Sequence, residues 1–205
     1  MVTVDISSEQ LERYVSRLGA IGRNVAGGID RPVYSDAWVM ARDEVAEWMG
    51  ELGLAVRSDA VGNLFGRVDG ESSRVVLTGS HSDTVPNGGP LDGALGIHAA
   101  LTAVGALIQA HGRPRQTLEV VAIGEEEGVR FPARFWGARA MNGLIAIDEA
   151  DQIRDSNGVS IGAAMRRVGF DPARQRLAAE ADDAQRRIRE GRATRPAIDG
   201  GFTRL

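Results

Sequence analysis

The sequence contains no cysteine among its 205 residues. This absence excludes disulfide bonds and thiolate metal ligands, and it agrees with a reducing compartment. No apolar run approaches the ~20 residues that a bilayer-spanning helix needs, so we expect no membrane segment. The first residues lack a basic start and an apolar stretch, so we expect no signal peptide and a cytoplasmic location.

An excess of charge of one sign is also lacking. The chain carries 24 basic and 28 acidic residues, which gives a formal net charge of −4. This balance argues against nucleic acid and anionic membrane surfaces as partners. Hydrophobic residues make up 43% and charged residues 25%, as in ordinary globular proteins. The length suits one large domain with a substantial core.

Histidine is scarce. The three copies are His81, His98 and His111, and none follows residue 111. His98 falls on the apolar face of a predicted helix and His111 at the end of that helix, so we interpret both as structural. His81 lies within a polar motif, which makes it the histidine to consider for chemistry.

Hydrophobic periodicity predicts an α/β fold. Helices are predicted over 7–22, 36–52 and 92–110, with short ones over 133–143 and 159–168, and strands over 54–58, 60–68, 74–78 and 117–123. The last two strands and the helix between them form a βαβ unit, so they are expected to be parallel neighbours. Both are almost wholly apolar, which is typical of strands buried on both faces. We therefore expect a βαβ-containing, mostly parallel sheet flanked by helices, followed over 174–205 by an Arg- and Ala-rich tail that is helical and then loose.

Two polar motifs follow these two strands, at residues 79–93 and 124–128. Ligands in open α/β sheets collect at the carboxyl ends of the strands, so the two motifs are expected to meet in one cleft. Together they hold residues of the types that bind and use divalent metals, namely His81, Asp83, Asp92, Glu126 and Glu127.

Each of these features alone has an ordinary explanation. On a strand His81 and Asp83 point the same way, so His81 can bind a metal through one ring nitrogen while the other donates to Asp83. A surface histidine beside a turn aspartate has the same pattern. Asp92 precedes a helix and can be its N-cap, or its carboxylate can bridge two cations. The three acids at 125–127 are usual on a solvated face, but in a cleft one can bind metal while a neighbour takes protons from a bound water.

The ordered combination is more specific than its parts. His-x-Asp, then Asp-Gly, then Glu-Glu-Gly resembles the M20 metallopeptidase superfamily. The segments GSHSDTVPNGG, LDGALG, EEGVRF and FWGAR within residues 79–139 resemble its hydantoinase/carbamoylase branch. This branch includes N-carbamoyl-L-amino acid hydrolases, β-ureidopropionases and allantoate amidohydrolases. The resemblance extends from about residue 8 to residue 173, so we interpret residues 1–173 as the N-terminal portion of a metallohydrolase catalytic domain.

The resemblance implies a role for each polar residue. His81 would be a terminal ligand of one divalent metal, Asp92 would bridge two metals, and Glu127 would be a terminal ligand of the second. Glu126 would be the general base, and Asp83 would orient His81. The implied reaction is hydrolysis of a C–N bond in a small linear ureido compound, by a water that bridges two ions of zinc, manganese, cobalt or nickel. The residues that bind substrate stay unassigned.

The chain also departs from the family pattern. It lacks the family's later His-Ile-Glu-Gln-Gly segment, its inserted dimerisation domain and its final catalytic histidine. We therefore expect weak or partial metal occupancy, little or no turnover by this chain alone, and no homodimer of the family type. Two alternatives stay open: an aminoacylase or dipeptidase of the M20 superfamily, and a non-catalytic α/β remnant.

Overall fold

The computed structural model describes residues 4–146 and 148–171, and the predicted tail over 174–205 lies outside these ranges. The helices are α1 (Ser8–Ala20), α2 (Asp36–Glu51), α3 (Ala94–His111), α4 (Trp136–Met141), α5 (Glu149–Gln152) and α6 (Ile161–Arg167). The strands are β1 (Ala55–Ser58), β2 (Leu64–Val68), β3 (Ser72–His81) and β4 (Gln116–Ile123). Within the described ranges each predicted helix and strand is present, and the short helix α5 is an addition.

The two N-terminal helices begin at serine caps, as their sequence predicts. The backbone N–H of Gln10 donates to Ser7 Oγ at 3.1 Å, and that of Trp38 donates to Ser35 Oγ at 3.1 Å. These hydrogen bonds satisfy N–H groups that a helix start would otherwise leave unpaired. α2 contacts β1 and β2, whereas α1 contacts α3, which packs on β3 and β4.

The four strands form one mixed sheet in the order β1-β2-β4-β3. β3 and β4 are parallel, so both the α/β class and the predicted βαβ unit are confirmed. The expectation that most of the sheet is parallel is wrong, because β1 pairs with β2, and β2 with β4, in antiparallel directions. β1 and β2 are joined by a turn over residues 59–63, closed by a 3.1 Å hydrogen bond from Asp59 N to the Asn63 carbonyl. Such a short turn joins antiparallel strands, since a parallel pair needs a long crossover.

β3 lies at an edge of the sheet, although its apolar sequence predicts burial on both faces. Val76 keeps 37% of its surface exposed, and Thr78 is exposed as well. In the described part of the chain, β3 pairs with β4 alone, so its other side presents free backbone N–H and C=O groups. β4, by contrast, is buried over residues 120–122, as predicted. An open edge of this length favours pairing with a further strand.

Among the residues that the structure describes, two hydrophobic clusters form the core. The first lies among α1, α2, α3 and the sheet and includes Tyr14, Val45, Trp48, Ile97, Leu101 and Val120. The second includes Tyr34, Trp38, Phe131, Trp136, Ile161 and Met165. Because Phe131 and Trp136 belong to the second cluster, the chain that follows the 124–128 motif is anchored in the core.

α3 is the helix of the described residues that is long and apolar enough to cross a membrane by length and composition. Core helices of globular domains meet the same criteria. Ile97, Leu101 and Val104 of α3 are buried in the first cluster. The match to these criteria is therefore weak support for a membrane span.

His98 is buried in this first region, beside Tyr14 and Trp48, with ring centroids 6.0 and 5.9 Å away. Neither of its ring nitrogens has a hydrogen-bond partner within the described residues. Burial, helped by the nearby charge of Arg31, lowers the pKa of His98 to about 4. The side chain is therefore a neutral core residue at pH 7, in line with its structural interpretation.

We predict that His98 makes the fold sensitive to acid. Its pKa is 6.5 in an unfolded chain and about 4 in the folded one, so the unfolded state takes up the proton first as the pH falls. The free energy of unfolding should drop by up to about 3 kcal/mol over this window through His98 alone. In His98→Leu, the free energy of unfolding from urea denaturation should depend less on pH between about 6.5 and 4. His111→Leu, at the exposed end of α3, should keep the pH dependence of the unchanged protein. An unchanged slope in His98→Leu would contradict the prediction.

The open edge of β3 predicts self-association that grows with protein concentration. A charge on an edge strand opposes the addition of another strand. Val76→Lys should therefore shift the protein toward monomer in sedimentation velocity runs at several concentrations. Met40→Lys is the matched control, because Met40 is also exposed but lies on α2. Equal association of the Val76→Lys and Met40→Lys proteins would show that the edge of β3 is not the contact.

Candidate metal centre

The topology of the sheet brings the two polar motifs together. β3 ends at His81, and its parallel partner β4 ends at Ile123 directly beside it in the register. Both following segments therefore leave the sheet at the same edge, as expected for the carboxyl ends of parallel strands. The first turn of α3 faces the same place, because Gly93 lies against the ring of His81.

His81, Asp92 and Glu127 converge at this edge. One ligand atom from each lies within 4.8 Å of the other two. His81 is buried, Glu127 is half-buried and Asp92 is exposed, so the donors line an accessible cleft. Since N and O donors bind a divalent ion at about 2.0–2.2 Å, small rotations of the two acidic side chains would let one ion contact all three residues. An imidazole with two carboxylates suits zinc, manganese, cobalt or nickel.

The hydrogen bond at Nδ1 orients His81. Nδ1 lies 3.0 Å from the backbone carbonyl of Asp83, which can accept a hydrogen bond from the Nδ1–H group. Nε2 then faces the cleft, 3.8 Å from the Glu126 carboxylate. Burial opposes protonation of His81, but the Asp83 and Glu126 carboxylates outweigh it and raise the pKa of this histidine above 6.5.

The contact of Asp83 with His81 differs from the one that the sequence predicts. The partner of His81 at 3.0 Å is the backbone carbonyl of Asp83, while its carboxylate is 3.6 Å from Nδ1. That buried carboxylate instead accepts the backbone N–H groups of Glu126 at 3.0 Å and Glu127 at 3.3 Å. The side chain turns toward these two donors because each would otherwise be unpaired in a largely buried loop. Asp83 thus joins the first motif to the second.

The three consecutive acids separate into two environments. Glu125 is 1% exposed, and its carboxyl group accepts the N–H of Phe131 at 3.2 Å. Burial raises the pKa of Glu125 to about 8, so this side chain is mostly protonated at pH 7. Glu126 and Glu127 remain at the cleft. Burial and then repulsion from Asp92 and Glu126 raise the pKa of Glu127, a repulsion that a cation would relieve.

Asp92 is not the N-cap of α3, although its position before the helix would allow that role. The N-cap of α3 is Gly93, with a φ of 65°, and not Asp92. A Cβ atom at Gly93 would lie 2.5 Å from Nε2 and 2.6 Å from Nδ1 of His81. The Asp-Gly pair therefore serves the site twice, since it offers a carboxylate and lets the backbone approach the histidine ring.

Two residues that shape the site have no part in the sequence prediction. Asn63 is fully buried; its side chain donates to the Gly137 carbonyl at 2.9 Å and accepts the Gly124 N–H at 3.0 Å. It fixes the start of the second motif. Arg31 is also buried, and its Nε donates to the Ser82 carbonyl at 2.6 Å. Asn63 lies in the turn between β1 and β2, and Arg31 lies in a loop without periodicity, so the two polar motifs give no signal for either residue.

A cavity of about 390 Å³ lies next to the site. It is lined in part by Thr84 and Pro86 of the first motif and by Val129 and Arg130, which follow the second motif. None of the three converging donors lines it, so the cavity is a neighbour of the candidate metal centre and not the centre itself.

Known proteins resemble the chain across most of the described region. The family model of peptidase family M28 matches residues 63–154. The chain is 43% identical to an allantoate amidohydrolase of Bacillus subtilis (strain 168), over 77% of this chain and 39% of that protein. It is 40% identical to an N-carbamoyl-L-amino acid amidohydrolase of Geobacillus stearothermophilus, over 82% of this chain and 42% of that protein.

Solved structures also resemble the chain over most of its length. A hydantoinase/carbamoylase family amidase from Burkholderia ambifaria superposes with a TM-score of 0.76 at 36% identity, over 81% of this chain and 41% of that one. The chain thus spans about two fifths of the length of the proteins it matches. The matching family model is M28, whereas the motifs resemble M20; the relatives and the structure agree with the carbamoylase branch.

We predict that Gly93→Ala will weaken metal binding, because the added Cβ would displace the ring of His81. The Zn²⁺ dissociation constant, measured by competition with a chromophoric chelator, should rise at least about tenfold. Gly112→Ala is the matched control, since Gly112 lies at the other end of α3 with a similar φ of 68° and open space around it. Both glycines have a positive φ, which disfavours an added side chain in either variant, so equal Zn²⁺ affinities in the two variants would refute the contact with His81.

Proposed function

Since this chain belongs to the hydantoinase/carbamoylase family of amidohydrolases, we propose that it forms part of a metal centre that hydrolyses a C–N bond in linear ureido compounds. The observation that carries the proposal is the convergence of the donors of His81, Asp92 and Glu127 within 4.8 Å. The names of the relatives support a substrate such as allantoate or an N-carbamoyl amino acid. Residues 1–173 are proposed to be the N-terminal portion of the catalytic domain, in a protein of the cytoplasm.

We propose the following division of labour among the metal ligands. His81 would contribute Nε2, Glu127 a terminal carboxylate, and Asp92 a carboxylate with two oxygens, which can contact two ions at once. Bound divalent ions would polarise the ureido carbonyl and lower the pKa of water. The close approach of the Asp92 and Glu127 carboxylates supports a cation at this place, because a cation would offset their mutual repulsion. Zinc, manganese, cobalt and nickel all fit the donor set.

Glu126 is proposed as the general base. Its carboxylate is 34% exposed, lies 3.8 Å from Nε2 of His81 and is not one of the three converging donors. It can therefore take a proton from the attacking water and pass it to the leaving nitrogen when the C–N bond breaks, so that the nitrogen departs as ammonia or an amine. The hydrogen bonds from Glu126 N and Glu127 N to Asp83 keep this side chain beside the ligands.

The number of converging donors among the described residues limits the activity that we propose for these residues alone. The three converging donors of the described residues are few for two ions, and the chain spans about 39–42% of the length of its relatives. A missing ligand should weaken metal binding at least as much as the 10- to 100-fold loss that follows from disturbing a ligand's support. We therefore propose partial metal occupancy and slow turnover.

The match to a peptidase family model favours a second candidate, hydrolysis of an ordinary amide in N-acyl amino acids or dipeptides. The donors and the base would be the same, and the substrate would differ. Parallel assays of ammonia release from allantoate and N-carbamoyl-L-amino acids, and of amino acid release from N-acyl amino acids, distinguish the two. No metal-dependent turnover of any of these compounds would favour the non-catalytic remnant.

We predict that Glu126→Gln will abolish ureido hydrolysis while metal binding persists. Removing a general base lowers the rate about 10²- to 10⁴-fold. Ammonia release should therefore fall below detection, with a Zn²⁺ affinity close to that of the unchanged protein. Glu149→Gln is the control, because Glu149 pairs with Arg139 away from the cleft. Activity that survives Glu126→Gln would rule out this role for Glu126.

A further inference from the structure

Arg31 is buried directly behind the candidate metal centre. Its side chain is 1% exposed, and within the described residues it forms no ion pair. Its guanidinium instead donates to three backbone carbonyls: Nε to Ser82 at 2.6 Å, and Nη1 to Leu18 at 2.9 Å and Ile21 at 3.2 Å. A buried cation is costly for stability, and an apolar residue often serves a core better. The position of Arg31 therefore has a reason other than packing.

The contacts of Arg31 surround Asp83. Ser82, whose carbonyl accepts from Nε, lies between His81 and Asp83. On the other side, the Arg31 backbone N–H donates to Thr84 Oγ1 at 3.0 Å, and the Thr84 N–H donates to the Arg31 carbonyl at 3.2 Å. Arg31 thus holds the chain immediately before and immediately after Asp83.

This segment in turn sets the geometry of the ligands. The Asp83 carbonyl lies 3.0 Å from Nδ1 of His81, and its carboxylate accepts the N–H groups of Glu126 and Glu127. A shift of residues 82–84 would therefore move a ligand of each motif and the proposed base together. Second-layer contacts of this kind orient metal ligands in other proteins.

The charge of Arg31 also suits the place. Burial lowers the pKa of Arg31 to about 10, and the nearby Asp83 carboxylate opposes this effect, so the guanidinium stays protonated at pH 7. The facing cleft holds Asp83, Asp92, Glu126 and Glu127. A fixed positive charge behind this cleft offsets part of the negative charge that these acids bring together.

We propose that Arg31 is a positioning residue of the metal centre, which acts through the backbone of residues 82–84 to orient His81 and the Glu126–Glu127 pair. The inference rests on the proposed function, because it concerns the same metal site. According to this proposal, Arg31 increases the affinity for metal in addition to filling space in the core.

The test compares Arg31→Met with Arg42→Met. Arg42 is the matched control, since it is a half-buried arginine that donates to the Gly62 carbonyl at 3.2 Å and to Ser58 Oγ at 2.7 Å, away from the cleft. Zn²⁺ dissociation constants come from chelator competition, the visible spectrum of bound Co²⁺ reports the coordination geometry, and urea denaturation gives the stability of each variant.

We expect the Zn²⁺ dissociation constant of Arg31→Met to rise about 10- to 100-fold, with an altered Co²⁺ spectrum, while Arg42→Met keeps both. Arg31→Lys should also bind Zn²⁺ about tenfold more weakly, because one ammonium group cannot reproduce the fork that reaches three carbonyls. If Arg31→Met does not fold, Arg31→Lys decides the question by the same comparison.

The outcomes separate the two proposals. If Asp92→Ala leaves Zn²⁺ binding unchanged, the metal site is wrong, and the role of Arg31 falls with it. If Asp92→Ala abolishes binding but the folded Arg31 variants bind Zn²⁺ as Arg42→Met does, the metal site stands and the positioning role of Arg31 is overturned.

Discussion

The buried carboxylate of Asp83 is the interaction on which the site depends. Parallel pairing of β3 with β4 delivers both polar motifs to one edge of the sheet, but pairing ends at His81 and Ile123. Beyond those residues the separation of the two segments is set by the hydrogen bonds from Glu126 N and Glu127 N to Asp83. Because Asp83 is 2% exposed, water competes little for these bonds.

Much of this arrangement follows from the sequence. The βαβ unit is predictable because apolar strands and a small-residue helix alternate between residues 74 and 123, and that unit alone implies that His81, Asp92 and Glu127 approach each other. The hairpin of β1 and β2 and the exposed position of β3 are not predictable in the same way. They depend on which strands become neighbours. An apolar strand has the same sequence pattern at the centre of a sheet and at its edge.

The sequence specifies the positions of these residues better than the directions of their side chains. Three adjacent glutamates look equivalent in sequence, yet the φ of 53° at Glu125 sends that side chain inward and leaves the next two at the cleft. The sequence predicts that Asp83 contacts His81 through its carboxylate, whereas in the structure the 3.0 Å contact is made by the Asp83 backbone carbonyl. Arg31 has no sequence signal, because its contacts are to backbone carbonyls, which no residue pattern reveals.

The free edge of β3 has a consequence for how the site acquires its metal. Among the described residues, the strand that offers unpaired backbone groups is the one whose last residue is His81. A polypeptide that adds to this edge would restrict the motion of the strand and so pre-organise the imidazole. Since such coupling is reciprocal, a bound ion would equally tighten the added strand. Addition of a strand to the sheet and binding of the ion would therefore each favour the other by the same free energy.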